Sequence, residues 1–189
     1  MGARAAGNEI AKAWCAEQGD HGSEGTFADA AGFGELVVNC INGNGTVAAV
    51  TSAATELAGK VLVEVSNPLD FSSGGPSLSV AITDSLGEQV QRALPETFVV
   101  KALNTVNCDV MVDPVRVPGD HAVFVSGNDA NAKSRVIALL GEFGWPADRV
   151  LDIGDITAAR TTEAYMLIWL RMMNVVGDSL FNIEIRRHG

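Results

Sequence analysis

Five short apolar runs recur along the chain, each closed by Gly, Asn, Ser, Thr or Asp and separated by helix-length segments, and this alternation restricts the fold more than any other feature. The runs are 36–41, closed by Asn42-Gly43-Asn44-Gly45; 61–65, ending at Ser66-Asn67-Pro68; 98–103, ending at Asn104-Thr105; 122–125, ending at Ser126-Gly127-Asn128; and 150–153, ending at Gly154-Asp155. A nearly continuous apolar run of this length is how a strand reads when helices cover both of its faces. Residues 47–57, 85–94, 131–143 and 156–176 are long enough to be the covering helices. Strand and helix in alternation predict βαβ units with right-handed crossovers, hence an α/β fold with a doubly wound, mostly parallel sheet.

Ahead of the first run, residues 8–17 place Ile10, Ala13, Trp14 and Glu17 at helical spacing, with Asn8 as N-cap and Gly19 as the stop. Residues 22–25 are turn-like, and 26–33 predict a second short helix capped by Thr26. No repeat, low-complexity tract or Pro/Ser-rich linker divides the chain. The expected division is residues 1–154 as the sheet domain and 155–189 as a helical extension and tail.

Thirteen Lys and Arg against 23 Asp and Glu give a formal charge of −10, which repels phosphate backbones and acidic headgroups. Nucleic acid and membrane are therefore not expected as partners. A small anionic cofactor is compatible, because backbone N–H groups and one arginine outweigh a diffuse field at short range. Cys15, Cys40 and Cys108 are scattered and odd in number, without CxxC or a histidine pair, so neither a disulfide framework nor a zinc site is expected. A reducing cytoplasm fits this usage. No charged leader with an apolar run opens the sequence, and the longest apolar stretch, 164–176, is short for a bilayer and carries Arg171 and Asn174.

In an open parallel sheet the ligand lies beyond the carboxyl ends of the strands. That points to Ile41-Asn42-Gly43, to Asn67-Pro68-Leu69-Asp70, to Leu103-Asn104-Thr105 and to Gly127-Asn128-Asp129. Asn67-Pro68 reads equally as a turn initiator and as a cofactor contact. Lys101 lies within an apolar run; a salt-bridged or snorkelling lysine is the commoner explanation, a substrate-anion contact the rarer. His21, His121 and His188 lack metal-pair spacing and read as surface or cap residues. No GxSxG or HExxH supports a hydrolase or metalloenzyme. Tyr165, Ile168, Trp169, Met172 and Met173 form an apolar stripe that predicts core packing or a homodimer contact.

Several ordered segments resemble the NADPH-dependent coenzyme F420 reductases, also called F420-dependent NADP oxidoreductases: Gly2-Ala3-Arg4, Thr26-Phe27-Ala28-Asp29-Ala30, Val65-Ser66-Asn67-Pro68-Leu69-Asp70 and Thr83-Asp84-Ser85-Leu86-Gly87-Glu88. To these add Val100-Lys101-Ala102-Leu103-Asn104-Thr105-Val106-Asn107, Met111-Val112-Asp113-Pro114 and Gly154-Asp155-Ile156-Thr157-Ala158-Ala159-Arg160. The resemblance implies a Rossmann-like domain and an oxidoreductase that moves a hydride between NADP(H) and a deazaflavin, coenzyme F420, or another small acceptor. It puts Ala3 and Arg4 at the 2′-phosphate, favouring NADP over NAD because a guanidinium pairs with phosphate where a carboxylate would repel it. It puts Ile41, Asn42 and Gly43 along the ribose or pyrophosphate, and Asn67, Pro68, Asn104 and Thr105 near the nicotinamide. The two rings carry the chemistry, so no catalytic side chain and no metal are expected. The family's first strand and GxGxxG turn do not occur here, which implies an amino-terminally truncated nucleotide domain in residues 1–154 and a Met1 that is a mis-assigned start or a fragment edge. The alternative is a non-catalytic remnant acting as a packing or dimerisation module.

Overall fold

Each of the five apolar runs forms a strand of one sheet. The protein is described by a computed structural model that covers residues 1–186 and 188. In chain order the elements are β1 (Gly2–Ala3), α1 (Glu9–Gln18), β2 (Gly25–Thr26), α2 (Phe27–Phe33), β3 (Leu36–Asn39), α3 (Gly43–Thr51), α4 (Ala54–Leu57), β4 (Val61–Glu64), β5 (Leu69–Asp70) and β6 (Ser77–Leu78). There follow α5 (Leu86–Ala93), β7 (Phe98–Ala102), α6 (Cys108–Val112), β8 (Val123–Gly127), α7 (Ala130–Glu142), β9 (Val150–Asp152) and α8 (Ala159–Val176).

The five-stranded sheet has the order β3-β4-β7-β8-β9. β3, β4 and β7 run parallel, β8 is antiparallel to β7, and β9 is parallel to β8. The reversal has a local cause. A parallel crossover needs a helix long enough to pack back along the sheet, and the β7–β8 connection holds only the five-residue α6 and a turn of 3-10 helix at Pro114–Arg116. As a consequence Gly127-Asn128-Asp129 leaves the sheet toward the end at which β7 begins, away from the other three loops selected from sequence.

Alternation along the strands sorts their side chains onto two covered faces. Val61, Val63, Val100, Ala102, Val123 and Val125 pack with Ala132, Val136 and Leu140 of α7 and with Trp145. Leu62 and Val99 pack on the other face with Val50, Leu57, Leu86, Val90 and Leu94. A fully buried Leu or Val side chain contributes roughly 1.5–3 kcal/mol, so each face carries several times the stabilisation of any surface ion pair.

The helices begin where their caps put them. The Asn8 side chain accepts from the N–H groups of Ile10 and Ala11, and Thr26 and Asp29 form a reciprocal capping box on α2. α3 starts at Gly43, four residues before the expected 47, because Asn42 accepts from Asn44 N and turns the Asn-Gly-Asn-Gly segment into a cap and first turn. The chain breaks again before α4. Two pairings of two-residue strands were not expected, β1 with β2 in parallel and β5 with β6 antiparallel. Helix α8 follows a 3-10 turn at Ile156–Ala158 and ends at Gly177, whose φ of 77° makes the left-handed cap that glycine adopts without strain.

Two expectations are corrected, that the whole α8 stripe packs in the core and that His121 is a surface or cap residue. The buried line of α8 is Ala159, Thr162, Glu163, Met166 and Trp169, while Ile168 and Met172 are exposed, so the five-residue stripe does not form one buried face. Helix α8 is turned so that Glu163 enters the interior, which rotates Ile168 outward. His121 is a core residue. Its Nε2 donates to Pro114 O at 2.9 Å, its Nδ1 accepts from Asn182 Nδ2 at 2.9 Å, and its ring meets Trp145 edge-on. With Ala122 N donating to Ile183 O, it fastens the carboxy-terminal segment to the start of β8. Among the described residues, no helix is long and apolar enough to cross a membrane.

Candidate functional site at the strand-end loops

Because β3, β4 and β7 are parallel, the loops that follow them open at one rim of the sheet. Hydrogen bonds join these loops. Asn67 Nδ2 donates to Asn104 O at 2.8 Å, and Asn104 Nδ2 donates back to Asn67 Oδ1 at 2.9 Å, a reciprocal pairing across 37 residues of sequence. Ser66 Oγ and Thr46 Oγ1 both donate to Ile41 O, at 2.7 and 3.0 Å. Gly43 seats α3 against the second loop: a Cβ there would lie 2.1 Å from Asn67 O and 2.8 Å from its carbonyl carbon. No side chain fits such an approach.

The rim therefore brings together Ile41, Asn42, Gly43, Asn67, Pro68, Asn104 and Thr105. Pro68, Asn104 and Thr105 are buried, Ile41, Gly43 and Asn67 half-buried, and Asn42 is exposed. Leu103 precedes Asn104 with a φ of 63°, an unfavourable left-handed conformation for a leucine, and this turn swings Asn104 toward Asn67. The Thr105 hydroxyl is buried with no partner among the described residues, an unspent donor and acceptor at the end of β7. Ala3 and Arg4 stand elsewhere, at the exit of β1. Arg4 is exposed and makes no ion pair or hydrogen bond among the described residues. Gly2 and Ile41 line one apolar cavity of about 500 Å³ between the β1–β2 pair and β3, with Trp14, Phe27 and Val50 on its walls, and neither Ala3 nor Arg4 lines it.

Below the loops lies a set of charges that sequence reasoning only half anticipated. Lys101 is paired, as the commoner explanation held: its Nζ lies 2.8 Å from Glu163 Oε1 and 3.8 Å from Glu64 Oε1, with all three side chains almost wholly buried. Glu163 also accepts from Leu86 N at 2.8 Å and Gly87 N at 3.0 Å, capping α5 from α8. Glu64 and Glu163 were missed. The signal for Glu64 was present as a lone carboxylate inside an apolar run; Glu163 sits on a helix where a carboxylate attracts no notice.

The outer charges follow simple pairing. Arg160 donates to Glu88 through Nε and Nη2, and these hydrogen bonds hold the Glu88 carboxyl below the usual glutamate range despite partial desolvation. Two guanidinium hydrogen bonds from Arg92 bring Asp84 down to about 2. Cys40 is exposed as a residue, yet its thiol is pushed up, first by desolvation and then by the Glu64 carboxylate, which marks it as a poor nucleophile.

No family model matches the chain. The F420-dependent NADP reductase of Methanocaldococcus jannaschii is similar to it at 32% identity in an alignment that covers 83% of this chain and 72% of that protein. A crystal structure from Arthrobacter sp. FB24, provisionally named an F420-dependent NADP-reductase, superposes with a TM-score of 0.88 at 49% identity, covering 93% of this chain and 80% of that one. A hypothetical protein of Sinorhizobium meliloti shares the fold, with a TM-score of 0.59 at 22% identity over 79% of this chain and 70% of its own.

Proposed function

The chain belongs to the F420-dependent NADP reductase family, and from that premise we propose that it transfers a hydride between NADP(H) and coenzyme F420 at the rim formed by the loops after β3, β4 and β7. The observation that carries the proposal is the reciprocal Asn67–Asn104 pairing beside the unpartnered Thr105 hydroxyl. It presents amide and hydroxyl groups at one point where three parallel strands end, the position at which such sheets receive dinucleotides.

In this reading Asn67, Pro68, Asn104 and Thr105 face the nicotinamide. The Thr105 hydroxyl suits a carboxamide, which offers both a donor and an acceptor. Ile41, Asn42 and Gly43 follow the ribose or pyrophosphate, where the start of α3 favours negative charge. Ala3 and Arg4 take the 2′-phosphate, for which an exposed guanidinium outside any ion pair is suited. Residues 1–154 carry the nucleotide, and 155–189, of which 187 and 189 lie outside the described residues, extend the domain. When bound, the nicotinamide and deazaflavin rings would supply the hydride chemistry, with the accompanying proton exchanged with solvent; the chain binds and orients the two rings.

Mixing the protein with NADPH and oxidised F420 under nitrogen tests the proposal. Loss of NADPH absorbance with matching loss of oxidised F420 is expected, with NADPH binding in roughly the micromolar range. NADPH binding without F420 turnover assigns the protein another small acceptor. No NADPH binding at about millimolar concentration overturns the nucleotide reading and leaves a packing module.

A further inference from the structure

A polar row crosses the sheet beneath the candidate site. Asn39 of β3, Glu64 of β4, Lys101 of β7 and Ser126 of β8 are register partners in sequence, so their side chains share one face and lie side by side. All four are at most 3% exposed. Two residues earlier on the three parallel strands the row is Val37, Leu62 and Val99, wholly apolar. The polar row therefore occupies one layer, the last before the strands end.

Stability gives no reason for it. Two carboxylates around one ammonium in a dry layer are, in general, no more stabilising than aliphatic side chains of the same volume. What distinguishes the row is where its hydrogen bonds go. Lys101 Nζ donates to Ser66 O, Ser66 N donates to Glu64 Oε1 at 2.6 Å, and Asn39 Nδ2 donates to Ser66 Oγ at 3.2 Å. Three strands thus each hold a different atom of one residue, the residue before Asn67-Pro68. Asn39 Oδ1 also accepts from Ile41 N at 3.2 Å, so the row grips two of the three rim loops. The Lys101 ammonium is already engaged by Ser66 O and Glu163, so whatever it does at the rim it does through Ser66.

Resting on the hydride-transfer reading, we infer that Lys101 is a positioning residue: held by Glu163, its ammonium fixes the Ser66 carbonyl and so sets Asn67 against Asn104. Through Glu163 the same ammonium ties the Ser66 loop to the first turn of α5 and to α8, so both helices share in holding the nicotinamide side of the rim.

The test uses the full chain and two readouts. Lys101→Met combined with Glu163→Gln removes one charge of each sign, and Glu163→Gln alone leaves the ammonium on Ser66 O. In the double variant the side-chain amide resonances of Asn67 and Asn104 are expected to shift, while the Ala132 amide, bonded to Asp129 Oδ1 after the other end of β8, stays in place. Hydride transfer at saturation is expected to fall by about 10- to 100-fold, with KM for NADPH changed less than about threefold. Glu163→Gln alone, which keeps one acceptor oxygen for Lys101, is expected to shift the asparagine signals less than the double variant does. Unmoved Asn67 and Asn104 resonances in a folded double variant overturn the inference, as does an equal fall in signal across all amides with kcat per folded molecule unchanged. If the double variant does not fold, Lys101→Arg, which keeps the charge but alters its reach to Ser66 O, is read by the same two signals. If the wild type shows no turnover while the asparagine signals still move, the hydride reading fails and the positioning role stands.

Discussion

At the scale of single residues, the site is built from close approaches with no slack. Gly43→Ala places a methyl 2.1 Å from Asn67 O, so either α3 or the Asn67 loop must move. The expected loss is about 1–3 kcal/mol, read as a lower urea midpoint, with NADPH affinity falling alongside. Arg4 makes a different kind of prediction, since nothing else among the described residues engages it. Arg4→Ser should weaken NADPH binding by about tenfold or more and leave NADH binding and the melting temperature unchanged. Equal weakening of both nucleotides would remove Arg4 from the 2′-phosphate. Some of this was legible in the sequence: Asn67, Asn104 and Gly43 stand at strand ends, where a sheet of this class gathers ligands. Their mutual bonds were not, because a reciprocal amide pair across 37 residues depends on strand register. His121 was misread for the same reason, its partners Pro114, Trp145 and Asn182 being assembled only by the fold.

Elements obey burial first and charge second. Leu94 is 2% exposed at the end of α5, and Leu94→Ala is expected to cost about 2–5 kcal/mol in urea unfolding. Phe33, 86% exposed at the end of α2, should tolerate alanine within about 0.5 kcal/mol. The contact between α5 and α8 adds a pH dependence. Glu88 is held below its ordinary value of 4.5, chiefly by hydrogen bonds from Arg160. A carboxyl depressed in the folded state contributes stability that is fully present above its unfolded value and is lost as pH falls through the folded one. Melting temperature should therefore drop as pH falls below 4.5, with Asp84 adding loss toward about 2. Arg160→Gln should flatten the upper part of that slope. The five strands were readable because burial on both faces leaves an apolar run, whichever way the strand points. The reversal of β8 was unreadable for that same reason, and β1, β2 and α6 are too short to impose a period.

For the whole molecule, the direction of β8 has a consequence for how the surface is shared out. With two strands facing one way and three the other, the loops that leave the strands are divided between the two ends of the sheet. In the proposed function one end receives the nucleotide, while the turns around Asn128 and Gly154 leave β8 and β9 at the opposite end. A graft, a label or a tether at that end should leave the proposed site as it was, provided α8, which carries Glu163, keeps its seat.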